Sequence, residues 1–121
     1  MHFPFSQTKK IDKEGFTAFL YNLKEDHPSF NTVYVDCHKS HEKVYVKASH
    51  RIYFIIEGEG TFTVDNKTNQ VQKNDVIVIE PTKEYSYEGK MKLFEVNFPA
   101  TGSEDEVQAT YHSPSPTQKD T

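Results

Sequence analysis

The sequence predicts an all-β sandwich or barrel, on three observations. Short runs rich in Val, Ile, Tyr and Phe recur at even intervals; Gly, Asn, Asp and Pro punctuate them; and no stretch of helical length repeats its apolar residues with a 3.6 period. Nine Phe and seven Tyr, with no Trp, suit strands and bring large buried areas.

The expected strands follow in order. Residues 16–21 (FTAFLY) and 31–37 (NTVYVDC) are separated by the polar NLKEDHPSF, which contains Pro28. Then come 44–47 (VYVK), 51–58 (RIYFIIEG), 60–65 (GTFTVD), 76–80 (VIVIE) and 92–98 (KLFEVNF). Gly58 and Gly60 are expected to bracket a tight turn that needs positive φ or a close backbone approach. DNKTNQ at 65–70 reads as a hairpin turn, since Asp and Asn tolerate left-handed backbone. Pro81 stands at the end of a strand, where a missing N–H does little harm.

Alternation assigns faces. Arg51, Tyr53 and Ile55 point one way, and Ile52, Phe54 and Ile56 the other. The second face is wholly apolar, and VIVI at 76–79 is apolar on both faces, so something must cover the outside. The candidates are the N-terminal segment, with Phe3, Phe5, Phe16 and Phe19, or a second subunit. A homodimer is the expectation, C2 association being the commonest symmetry.

With 121 residues the chain makes one domain, assigned to 1–100. Residues 101–121 change to Ser, Thr, Pro, Gln and acids and read as a flexible polar tail, in which Tyr111 and His112 carry no role. A net charge of −4 without a basic stripe argues against nucleic acid. No apolar run approaches the ~18 residues of a membrane span. MHFPFSQTKK lacks a signal-like apolar core. Cys37 alone can form no intrachain disulfide, which fits a cytoplasmic location, and it reads as a small strand residue.

Residues 51–98 resemble two consecutive motifs of the cupin superfamily. A strand runs to the Gly-x-Gly of 58–60, a hairpin follows, and a further strand opens at Asn74–Asp75 and closes at Pro81. The resemblance covers about residues 15–100 and implies a cupin-type double-stranded β-helix, the jelly-roll barrel. It also implies where metal ligands belong. Arg51 falls at the place of the ligand Glu and Tyr85 at that of the second-motif His. The His-x-His place falls near Val44 to Lys47, where there is no histidine. Arginine has no lone pair to give, and tyrosine ligates poorly unless ionised. The resemblance therefore implies a barrel with no metal and no cofactor.

The inward-facing residues expected to bind a ligand are Arg51, Tyr53, Tyr85, Tyr87, Lys47, Glu95 and Asn97. Arg and Lys amid tyrosines suit an anionic or sugar-like small molecule. Alternatively Arg51 pairs with Glu95 or Glu57 and closes the cavity, the tyrosines are core, and Lys47 is solvated. A second reading is a metal-free sugar isomerase or epimerase, with His41 as base, Tyr85 as acid, and Arg51 and Lys47 holding a phosphate. A third is a divergent metal-dependent enzyme using His38 or His41, which with Glu42 form a short cluster.

Overall fold

A computed structural model describes residues 1–109 of the chain. It contains nine strands: β1 (Lys9–Asp12), β2 (Phe16–Leu20), β3 (Asn31–Cys37), β4 (Ser40–Tyr45), β5 (His50–Val64), β6 (Lys67–Gln72), β7 (Val76–Ile79), β8 (Tyr85–Phe98) and β9 (Val107–Gln108). The only helices among the described residues are two short 3-10 turns, Phe5–Gln7 and Ser103–Asp105.

Two long strands organise the barrel. The C-terminal half of β8 lies between β3 and the start of β5, with Val33 opposite Glu95 and Tyr53 opposite Glu95. Its N-terminal half lies between β4 and the end of β5, with His41 opposite Tyr87 and Phe62 opposite Tyr87. β5 is flanked beyond β8 first by β7 and then by β6. One antiparallel sheet thus curls into two halves whose inner residues meet in a single core, including Val35, Val44, Tyr53, Ile55, Phe62, Tyr85 and Leu93. The inward set Arg51, Tyr53 and Ile55 is buried as the alternation requires.

The Gly-x-Gly segment differs from the expected turn. Residues 50–64 form one strand, bent by a bulge between Ile55 and Glu57. The requirement for glycine is real: Gly58 has φ +88, and a Cβ there would lie 2.1 Å from the Lys90 carbonyl oxygen. The expected hairpin turn at 65–70 shrinks to Asp65–Asn66, with φ of 52 and 68, because residues 67–70 already pair with β5.

The outside is covered in part. Phe5 packs on Phe19 and Tyr34, at ring-centroid distances of 5.1 and 5.9 Å, over β2 and β3. Phe16, expected outside, instead points inward against His41. Phe54, Val76, Val78 and Phe98 stay exposed on β5, β7 and β8.

The segment after residue 100 also differs from the expectation of a polar tail. Residues 101–108 fold back over one end of the barrel. Thr101 is buried and its N–H donates to Asn31 Oδ1 at 2.9 Å; β9 pairs with β4. The acids that suggested solvation have partners: Lys24 bridges Glu104 and Asp105, each at 2.9 Å, and Glu106 reaches Arg51. Tyr111 and His112 lie outside the described residues.

Candidate functional site

The strand register places a polar row across the inner surface. Asn31 on β3 pairs with Asn97 on β8, which pairs with Arg51 on β5. The next row holds Val33, Glu95 and Tyr53. Polar residues at an inward position of a β-barrel have to be satisfied or serve a ligand. Above them, between β1–β3 and the 101–108 segment, lies a cavity of 380 Å³. That is within the usual ~300–1,000 Å³ of small-molecule sites. Ile11, Phe16, Ala18, Leu20 and Val33 make one wall; Asn31, His41, Arg51, Glu95, Asn97 and Glu106 make the other.

Arg51 is 2% exposed and its guanidinium is held on several sides. Nη1 donates to Tyr85 Oη at 2.7 Å and to Glu106 Oε2 at 2.6 Å; Nη2 donates to Thr101 Oγ1 at 3.0 Å. Glu95 Oε2 stands 3.9 Å from Nε. Burial works against the positive charge, but Tyr85 and the two carboxylates outweigh it and keep the group protonated.

His41 comes from the irregular stretch of β4, where the register with β8 slips between His41 and Val44. Its Nδ1 lies 2.7 Å from the Glu42 carbonyl oxygen. A carbonyl can only accept, so Nδ1 carries the proton and Nε2 is the nitrogen presented to the cavity side. The ring lies between Phe16 at 4.9 Å and Tyr85 at 5.7 Å, both nearly parallel to it. Nε2 is 3.7 Å from Glu106 Oε2. Burial pulls the imidazole pKa down, but Glu106 pushes it further up, so the net shift is upward. Glu106 is shifted down in turn: burial opposes this, and His41 and Arg51 prevail.

The sequence candidates divide into three sets. Arg51, Glu95, Asn97 and His41 line the cavity together. Tyr53, Tyr85 and Tyr87 are buried beneath it as an aromatic cluster, Tyr85 and Tyr87 stacked and Tyr53 inclined to both, with Tyr53 Oη 2.7 Å from Tyr85 Oη. Burial raises all three hydroxyl pKa values, which makes Tyr85 a weak proton donor. Lys47 is exposed on the far side of the 101–108 segment and does not line the cavity, because Val44 and Val46 take the inward positions. His38 is exposed in a separate cleft with Asp36 and Glu57 and does not converge with His41. Glu57 pairs with Lys92 at the surface and not with Arg51. Glu106 and Asn31 were missed. Glu106 sits in a segment whose composition reads as solvated; Asn31 alternates inward with Val33 and Val35 and could have been found by that periodicity.

The donor set does not fit a divalent cation. Among the described residues no three His, Cys, Asp or Glu side chains converge on one point. The two carboxylates of the cavity flank a guanidinium, which occupies the position between them and repels a cation.

Comparison with known proteins gives a fold and no sequence family: no family model matches the chain, and neither does any curated protein. Among solved structures, Pac13, a nucleoside dehydratase, superposes with a TM-score of 0.83 over 95% of each chain at 22% identity. Streptomyces PAC13 has also been solved with uridine in three variants, one with a histidine changed to glutamine and two with a tyrosine changed to phenylalanine. KdgF from Halomonas sp. matches with a TM-score of 0.74 at 10% identity, over 86% of this chain and 97% of its own. Bacillus subtilis oxalate decarboxylase matches with a TM-score of 0.75 at 14% identity, over 87% of this chain and 31% of its own. The fold is the cupin barrel. At these identities the likeness extends to architecture alone, and what the cavity of this chain can do follows from its own residues.

Proposed function

We propose that this cupin binds a neutral, hydroxyl-bearing small molecule of about nucleoside size, without a metal, and performs acid–base chemistry on it with His41. The observation that carries the reading is His41 itself. It is a buried imidazole with one nitrogen committed to a backbone carbonyl at 2.7 Å and the other presented to a half-apolar cavity. The likeness to a nucleoside dehydratase that has been solved with uridine supports the size and class of ligand. Dehydration is an elimination: the neutral His41 takes a proton from carbon on Nε2, a C=C bond forms as the C–O bond breaks, and the imidazolium returns that proton to the departing oxygen, which leaves as water. Such a proton is acidic enough only beside a carbonyl, so the substrate is a nucleoside or sugar bearing one. Tyr85 serves as support for Arg51, not as the acid.

An anionic ligand fits less well than Arg51 suggested. The guanidinium already faces Glu95 and Glu106, so the cavity sets two carboxylates against one fixed cation. A phosphate has to displace Glu106; a neutral ligand does not. The proposal includes a homodimer and, from the buried free thiol of Cys37, a reducing cytoplasmic location. No helix among the described residues is long and apolar enough to cross a membrane.

The test is calorimetric titration with uridine, paired with mass-spectrometric detection of water loss from carbonyl-bearing nucleosides, with and without chelator. Binding is expected, and turnover that survives chelation. His41→Gln should keep binding and lose at least ~100-fold in turnover. A wild-type protein that binds none of these compounds, or is inactivated by chelation, overturns the reading.

A further inference from the structure

Two buried atoms at the floor of the cavity have no partner among the described residues: Arg51 Nε and Asn97 Oδ1. Both residues are almost fully buried, at 2% and 1% exposure, and native proteins rarely leave such atoms unpaired. They belong to directly opposed residues of β5 and β8.

Their chemistry is fixed by what their neighbours have already taken. Nη1 of Arg51 spends both hydrogens on Tyr85 and Glu106 and Nη2 spends one on Thr101, which leaves Nε as the guanidinium nitrogen with no partner. The nearest carboxylate oxygen, of Glu95, is 3.9 Å away, too far for a hydrogen bond. Asn97 Nδ2 donates to that same Glu95 oxygen at 2.8 Å. The amide therefore cannot flip, and Oδ1 is the free acceptor. A guanidinium N–H never accepts and a carboxamide oxygen never donates. The floor thus presents one obligate donor beside one obligate acceptor. Across from them Ala18, Leu20 and Val33 form an apolar wall suited to the face of a flat ring.

We propose that Arg51 Nε–H and Asn97 Oδ1 recognise the –CO–NH– edge of a planar ring amide in the ligand. The guanidinium donates to the ring carbonyl and Asn97 accepts from the ring N–H. This rests on the reading of the cavity as a nucleoside site and narrows it to lactam bases of the uracil type. A cytosine-type ring offers a bare nitrogen where the N–H is needed and faces Asn97 with lone pair against lone pair. Replacing the hydrogen with a methyl group both removes the donor and fills its space.

The experiment is calorimetric titration of the wild-type protein with uridine, 3-methyluridine and cytidine, and separately with uracil and 3-methyluracil. Uridine is expected to bind at least about tenfold tighter than either nucleoside analogue, and uracil correspondingly tighter than its methylated form. In Asn97→Leu, checked for native circular dichroism, uridine and 3-methyluridine should bind alike; the wild-type ligand series decides the matter if that variant does not fold. Uridine binding with no dependence on the ring N–H overturns this proposal and leaves the nucleoside reading standing. N–H-dependent binding of uracil without binding of uridine does the reverse. Binding of neither ring, with the two atoms satisfied by ordered water only, overturns both.

Discussion

Arg51, His41 and Glu106 form a charge cluster that no single strand supplies. Removing a partner from such a buried set leaves an uncompensated charge, so the members hold one another in place. The pKa shifts turn this into a pH dependence. His41 is raised above its ordinary 6.5, so its contribution to stability is complete below that value and fades as pH climbs through the folded-state pKa. Glu106 is lowered below its ordinary 4.5, so its contribution is complete above that value and fades as pH falls through the folded-state pKa. Glu106→Gln should therefore destabilise most between these two values, by about 2 kcal/mol, the scale of a charge-assisted hydrogen bond. The difference in unfolding free energy from wild type should shrink on either side. Denaturant unfolding across about pH 4 to 9 checks it; a difference that does not vary with pH contradicts the pairing.

At the scale of elements, the turns account for much of the order. Asn74, where the sequence opens a further strand, has φ 77, and a residue tolerant of left-handed backbone is what serves there. Thr82 is different. It follows Pro81 in a turn closed by Lys83 N–H on the Glu80 carbonyl at 3.2 Å, and it has φ 72. This is the third position of a type II turn, which favours glycine. A β-branched residue there costs about 1–2 kcal/mol, and glycine returns part of that in unfolded-state entropy. Thr82→Gly should raise stability by roughly 0.5–1 kcal/mol, read from the denaturation midpoint. A loss of stability instead would mean that the threonine makes a compensating contact.

For the whole molecule, the unfinished feature is the outer surface of β5, β7 and β8. Phe54, Val76, Val78 and Phe98 are 38%, 55%, 51% and 40% exposed, while Phe5 covers only the neighbouring β2–β3 region. Among the described residues β7 pairs with β5 alone, so its other edge offers free backbone groups beside that apolar face. A second copy related by a two-fold axis satisfies both at once. Sedimentation equilibrium should find a dimer for the wild type and a monomer for the double variant Val76→Glu, Val78→Glu. A wild-type monomer at all concentrations removes the homodimer from the proposal.

The chain by itself determined the all-β class, the inward set of Arg51, Tyr53 and Ile55, and the special backbone at Gly58 and at Asp65–Asn66. These follow from local sterics and from a side-chain period of two, which are written residue by residue. It did not determine whether 58–60 turns or runs on. A glycine with positive φ serves a bulge as well as a turn, and the choice depends on how closely Lys90 approaches from another strand. Only the tertiary structure brought Glu106 onto Arg51, 55 residues away in the chain, and onto the still more distant His41, and left Lys47 outside. Composition marks an acid as solvated, whereas its fate is decided by which cations the folded barrel places within reach.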